Sequence, residues 1–84
     1  MPLETGHARS GPTVAPDWKA VGFQSKGGPL VLVEFEGMRD RTVRSRLDIA
    51  KMTLLDPLPF KPANGALGKL VEWITTSLAQ EQFA

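Results

Sequence analysis

Arginines are the residues in this sequence whose type and spacing are best suited to chemistry. Four of them stand close together, at Arg39, Arg41, Arg44 and Arg46. A guanidinium carries a permanent positive charge and a fork of donors that matches phosphate or carboxylate oxygens. If these side chains line one loop and one strand face, they could contact the phosphates of a nucleic acid through charge and counterion release. The arginine cluster is therefore a candidate binding surface.

The charges around this cluster also support a plainer interpretation. Between residues 37 and 51, five basic and two acidic residues leave a local net charge of +3, whereas the whole chain carries only +1. Glu34, Glu36, Asp40 and Asp48 lie among the arginines, and no exposed aromatic residue is expected between them to stack on bases. Solvated, partly paired strand charges explain the pattern about as well, so protein binding is favoured slightly over nucleic-acid binding.

Catalysis has little support in the sequence. The single histidine, His7, lies in a segment that nothing is expected to hold in place, which disfavours a serine nucleophile. Glu34 and Glu36 would lie about 7 Å apart on one strand face, a spacing compatible with acid and base catalysis. Solvated strand carboxylates are far more common than catalytic pairs. We therefore expect a protein that is not an enzyme.

No metal or cofactor site is expected either. The chain has no cysteine, so thiolate metal sites and a disulfide-stapled secreted scaffold are both excluded. Asp40, Asp48 and Asp56 lack the spacing of a calcium loop, and residues 65–69, GALGK, lack that of a phosphate-binding loop. No stretch is typical of a membrane span or a signal peptide, which favours a cytoplasmic location.

A β-hairpin over residues 30–47 is the element that must position the arginines. In the first strand, Val31, Val33 and Phe35 alternate with a second set that contains both glutamates, which is the period of a half-buried strand. Residues 37–41 are typical of a turn. Pairing Glu36 with Thr42 gathers the apolar side chains on one face and gives these further pairs: Glu34 with Arg44, Phe35 with Val43, Val33 with Ser45 and Val31 with Leu47. This register predicts a cross-strand ion pair between Glu34 and Arg44.

Shorter elements are predicted on both sides of the hairpin. Residues 18–24 form a candidate strand in which Val21 and Phe23 share one face, with a helical turn started by Pro16 and Asp17 as the alternative. The run SKGGP at 25–29 reverses the chain. Residues 48–56 favour a turn and a short strand at 52–55, with a helical turn as the alternative. An arginine-rich strand, a tight turn and a brief closing strand resemble small SH3-like barrels, and this resemblance concerns shape only.

The last third of the chain is predicted to cover the sheet. Prolines make residues 56–62 extended, and Leu58 and Phe60 are expected to pin this connector onto the sheet, with a proline-rich ligand for an aromatic groove as the alternative. Asn64 is a candidate N-cap for a helix. An apolar stripe at helical spacing should pack on the inner face of the sheet: Leu67, Leu70, Val71, Ile74 and Leu78.

These patterns predict a flexible tail at 1–16 and a single α+β domain at 17–84. Its small antiparallel sheet of three to four strands, open or closed as an SH3-like barrel, would be packed by one C-terminal amphipathic helix. We expect a small protein-interaction or accessory module that binds another protein or a second copy of itself, with nucleic-acid binding through the arginine hairpin as the alternative. Besides the four arginines, apolar residues outside the core would contact the partner: Leu30, Leu32, Trp73 and Phe83.

Overall fold

The computed structural model describes residues 11–82, which form five strands followed by one helix. The strands are β1 (Thr13–Ala15), β2 (Trp18–Ser25), β3 (Leu30–Glu36), β4 (Thr42–Asp48) and β5 (Thr53–Leu54), and the helix α1 spans Ala66–Gln82. Each strand pairs antiparallel with the next, in the order β1-β2-β3-β4-β5. The sheet curls into a half-barrel, and the predicted α+β class with a single C-terminal helix is confirmed.

The β3–β4 hairpin has the predicted register. Glu36 pairs with Thr42, Glu34 with Arg44 and Val31 with Leu47. The apolar partners at 31, 33, 35 and 47 are buried, whereas Leu30 on the opposite face is exposed. Residues 37–41 form the loop, in which Arg39 and Asp40 both have a φ of 60°. The alternation in β3 predicted this register because sliding by one residue would expose the whole apolar set.

Strand β1 is a correction to the predicted tail. The sequence interpretation assigned residues 1–16 to a flexible tail, but Thr13–Ala15 pair with β2, and Val14 is only 2% exposed. Pro16 and Asp17 turn the chain between the two strands, with Asp17 at a φ of 68°. This strand raises the number of strands to five, above the predicted three to four. Residues 1–10 of the predicted tail lie outside the described residues.

Strand β2 contains an irregularity that the sequence interpretation did not predict. Its pairing with β3 shifts between Ala20 and Gly22, so that Val21 has no direct partner on β3. Because an extra residue reverses the alternation, both Ala20 and Phe23 face the core, and Val21 is only half-buried. The prediction that Val21 and Phe23 share one face is therefore wrong.

Helix α1 and the connector before it cover the inner face of the sheet. Leu70 and Ile74 are buried with Phe23, Phe35 and Leu47, and the remaining residues of the predicted stripe pack around them. The helix begins at Ala66, and the amide of Ala66 donates to the carbonyl of Ala63 at 3.0 Å. Asn64 is therefore not the predicted N-cap, because Gly65 directly precedes the first helical residue and its carbonyl accepts the bond from the Lys69 amide.

The connector lies on the sheet as predicted. Phe60 stacks on Trp18 with ring centroids 4.7 Å apart, and it meets Phe35 edge to face at 5.5 Å. Leu58 is half-buried and packs against the same core. Offset stacked and edge-to-face pairs of this kind stabilise a core beyond their buried area. The apolar side chains of the connector are thus used inside the molecule.

Candidate functional site

The face of the β3–β4 hairpin that points away from the helix carries the candidate site. Strand alternation places its side chains opposite the core residues of the same two strands. We call this surface the outer hairpin face and define it by Leu30, Leu32, Glu34, Arg44 and Arg46. Cross-strand neighbours on it are Leu32 with Arg46 and Glu34 with Arg44. The helix of the described residues, α1, packs on the inner face and leaves these side chains uncovered.

Leucines form the apolar part of this surface. Leu30 is 49% exposed and Leu32 is half-buried beside it. Leu55 adds to them, because it follows the inward-facing Leu54, is 43% exposed and donates its amide to the Arg46 carbonyl at 2.8 Å. Sequence reasoning missed Leu55, although its position one residue after an apolar strand residue could have indicated its outward face. Three leucines thus share one side of the sheet.

Arg46 is already bound to a carboxylate. Its guanidinium donates to Asp56 through Nε, at 3.0 Å to Oδ2, and through Nη2, at 2.8 Å to Oδ1. The main-chain amide of Arg46 donates to the same Oδ2 at 3.0 Å. These bonds lower the pKa of the Asp56 carboxyl to about 2, first through the guanidinium and then through the amide, and raise the pKa of Arg46. The pair fastens the connector to β4 immediately after β5.

The Asp56 carboxylate should make the stability of the folded chain depend on pH in the acidic range. Because its folded pKa lies below its ordinary value, its contribution is present above that ordinary value and is lost as the pH falls through the folded pKa of about 2. We expect Asp56→Asn to lower the urea midpoint at neutral pH. The difference in urea midpoint between the parent protein and Asp56→Asn should narrow as the pH falls below about 4. Urea titrations across this pH range measure the gap.

An Arg46→Gln background provides the control for this prediction. Without the guanidinium, the Asp56→Asn substitution should change the urea midpoint much less, and most of the pH dependence of that change should disappear. Salt should also reduce the gap, because the Arg46 side chain is 57% exposed and exposed charges are screened. A gap that stays constant with pH would contradict a stabilising role for the ionised Asp56.

The other arginines have different surroundings. The Arg41 guanidinium lies over the Trp18 ring, 5.4 Å from its centroid, which is within the range of a cation–π contact. Arg39 is exposed in the hairpin loop. The predicted Glu34–Arg44 ion pair is wrong: among the side chains of residues 11–80, the ion pair closer than 4.0 Å is that of Arg46 with Asp56. Glu34 and Arg44 are cross-strand neighbours, but register alone does not bring two long side chains into contact.

Trp73 packs at the periphery of the hydrophobic core and does not belong to the outer hairpin face. Its ring meets Phe23 edge to face at 5.3 Å, and it lies so close to Gly11 that a Cβ there would be 2.8 Å from the indole. The side chain is half-buried. The structure thus separates Trp73 from Leu30 and Leu32, with which it was predicted to form a contact surface. Phe83 and His7 lie outside the described residues.

The two glutamates of β3 and the possibility of a metal site complete the description of the polar residues. Glu34 and Glu36 lie on one face of β3 as predicted, next to Gly22 and Lys19 of β2. Among the side chains of residues 11–80, no three histidines, cysteines or acidic residues group closely enough to hold a metal ion. The helix found within residues 11–82 does not combine the length and the apolar character needed to cross a membrane.

Comparison with known proteins finds no matching family model, no matching curated protein and no matching solved structure.

Proposed function

We infer that this chain is a protein-interaction module that binds its partner through the outer hairpin face. The observation that carries this inference is the uneven cover of the sheet. The helix and the connector bury the inner face, whereas Leu30, Leu32 and Leu55 remain at least partly exposed on the other side. Contiguous exposed apolar residues with a polar rim often mark an interface. Here Arg46 is the cross-strand neighbour of Leu32, and Arg44 lies one pair further along the same face, opposite Glu34.

The energetics favour a protein surface as the partner. Fully burying one leucine side chain contributes about 1.5–3 kcal/mol, so a few leucines at the centre of a contact can supply much of the binding energy. The charged residues around them would then set orientation and partner choice. A second copy of this chain and a different protein are both compatible with this surface.

Nucleic-acid binding through the arginine hairpin is the weaker alternative. A phosphate would have to compete with Asp56 for the Arg46 guanidinium, and Arg41 lies over Trp18. Glu34 stands opposite Arg44 and repels phosphate from the same surface. The carboxylates of Asp56 and Glu34 therefore reduce the net positive charge that this surface can offer to a phosphate backbone.

Affinity capture from the native cell extract tests the proposed function. The tagged parent chain, a Leu32→Glu variant and a Thr76→Glu variant are compared, because Thr76 is exposed on the helix, far along the chain from the outer hairpin face. We expect a captured protein that survives nuclease treatment, is lost with Leu32→Glu and is kept with Thr76→Glu.

Two outcomes of this capture would contradict the proposal. Loss of the captured material after nuclease treatment would favour the nucleic-acid alternative. Undiminished capture by Leu32→Glu would exclude the outer hairpin face as the contact surface. Light scattering on the purified parent and Leu32→Glu chains separates self-association from binding to a different protein, because only self-association changes the measured mass of the purified chain.

A further inference from the structure

Strand β4 has a side that the described part of the chain pairs only in part. The odd-numbered residues of β4 form the hydrogen-bonded pairs with β3. The main-chain bonds at the two ends of this ladder show it, because both join odd-numbered residues: Gly37 N donates to Arg41 O at 2.8 Å, and Ile49 N donates to Pro29 O at 2.9 Å. Hydrogen-bonded and non-bonded pairs alternate in an antiparallel ladder. The main-chain groups of the even-numbered residues, Thr42, Arg44, Arg46 and Asp48, therefore point away from β3.

Strand β5 satisfies only half of this side. It pairs with β4 at Asp48, and Leu55 continues it with a bond to the Arg46 carbonyl. The Arg46 amide is taken by the Asp56 carboxylate instead of a strand carbonyl. Among residues 11–82, no hydrogen bond reaches the main-chain N–H or C=O of Thr42 or Arg44 on this side. Both residues are exposed.

The sequence itself prevents β5 from going further. In the β4–β5 register, where Leu47 pairs with Leu54, the residue opposite Arg44 would be Pro57 and the residue opposite Thr42 would be Pro59. Both positions would have to donate an amide hydrogen to β4, and proline has none. The two prolines therefore end the intramolecular ladder and leave the edge at Thr42–Arg44 open.

We propose that this edge accepts an extended acidic segment of a partner protein as an added β-strand. The proposal rests on the proposed function and specifies how the partner is recognised. Free N–H and C=O groups of Thr42 and Arg44 supply the main-chain bonds that strand addition uses. Residues of the added strand beside Thr42 and Arg44 would lie on the outer side, and the residue beside the half-buried Val43 would lie on the inner side.

The arginines near this edge favour acidic residues in the added strand. Arg44 has no described carboxylate within 4.0 Å, and its neighbour Glu34 lies on β3, on the side of β4 away from the added strand. Arg39 and Arg41 flank the same end of β4. An acidic residue next to Arg44 can therefore form a charge-assisted bond, whereas an apolar residue suits the position next to Val43. Pairing with β4 of a second copy is disfavoured, because it would bring two such groups of arginines together and their charges would repel. The expected occupant thus alternates acidic and apolar residues.

A proline substitution at Thr42 tests the edge, because it removes no hydrogen bond of the described part of the chain. Arg41 has φ −74° and ψ 137°, which is the geometry that a residue before proline adopts. The Thr42 amide makes no bond inside the described part of the chain, so Thr42→Pro removes only an outward donor. Thr42→Ala is the matched control because it keeps that amide. An unchanged melting temperature verifies that both variants are folded.

The probe is a blocked peptide of alternating valine and glutamate, titrated into the full ¹⁵N-labelled chain. We expect slower hydrogen exchange at the Arg44 amide on binding, and a Kd at least about tenfold weaker for Thr42→Pro than for Thr42→Ala, since the added strand loses a main-chain bond. A valine and lysine peptide should bind at least about tenfold more weakly to the parent chain, because its charge opposes Arg44.

Several results would overturn the proposal. These are equal affinity of Thr42→Pro and Thr42→Ala for the acidic peptide, no response to that peptide at millimolar concentration, and protection of the same amides by a single-stranded oligonucleotide. The proposed function fails separately, when Leu32→Glu leaves protein capture intact. A chain that loses its partner with Leu32→Glu but keeps it with Thr42→Pro would bind through its face and not by strand addition.

Discussion

Replacing Phe35 by alanine should lower the free energy of unfolding by about 3–5 kcal/mol. The side chain is 1% exposed in the middle of the inner face, and Phe60 of the connector packs against it at 5.5 Å. A chain of this size has a total stability of only about 4–12 kcal/mol. The substitution should therefore remove much of the cooperative transition in a urea titration followed by circular dichroism.

Leu30→Ala is the matched control for this prediction, since Leu30 belongs to the same strand but faces the opposite side. Its free energy of unfolding should stay within about 0.5 kcal/mol of the parent value. If Leu30→Ala destabilises the chain as strongly as Phe35→Ala, the two faces of the sheet have been assigned to core and surface incorrectly.

Gly37→Ala should destabilise the protein by about 1–3 kcal/mol, although alanine suits the backbone there. Gly37 has φ −115° and ψ −166°, an extended conformation that any residue adopts. The cost is steric, because a Cβ at this position would lie 2.7 Å from the Trp18 ring. Trp18 cannot easily withdraw while Phe60 stacks on it. Thermal unfolding followed by tryptophan fluorescence measures the loss.

Gly68→Ala gives the opposite expectation and serves as the control. At this helical position the nearest atom to an added Cβ is the Met52 Cε, at 3.9 Å, so nothing has to move. Alanine in a helix is favoured over glycine by up to about 1 kcal/mol. The prediction for Gly37 is wrong if both substitutions raise the melting temperature, because the crowding against Trp18 would then be absent.

Periodic patterns made the hairpin and the helix predictable. A slip of one residue in β3 would exchange Phe35 for Glu34 in the core, so the sequence admits a single register. The stripe that contains Leu70 and Ile74 likewise has one face to bury. Where a short element has no period, prediction failed: β1 is too brief for alternation to be visible, and the irregularity at Val21 reversed the faces of β2.

The candidate site was predictable only in part. Leu30, Leu32 and Arg44 were placed on the outer side by alternation alone. The bond of Arg46 to Asp56 was not predicted, because it depends on how the turn after β4 and the short β5 return the chain. The open edge follows from the sequence only once the register of β5 is known, because that register brings two prolines opposite β4. That step required the β4–β5 pairing, which the residues of β5 leave ambiguous.

Hydrogen exchange of the β4 amides in the free protein reports directly on the unpaired edge beside the outer hairpin face. We expect fast exchange at Thr42 and Arg44, and slow exchange at Val43 and Ser45, whose amides bond to β3. Arg46 should also exchange slowly, because its amide donates to Asp56. Slow exchange at Arg44, equal to that of Ser45, would contradict the open edge and the strand addition that depends on it.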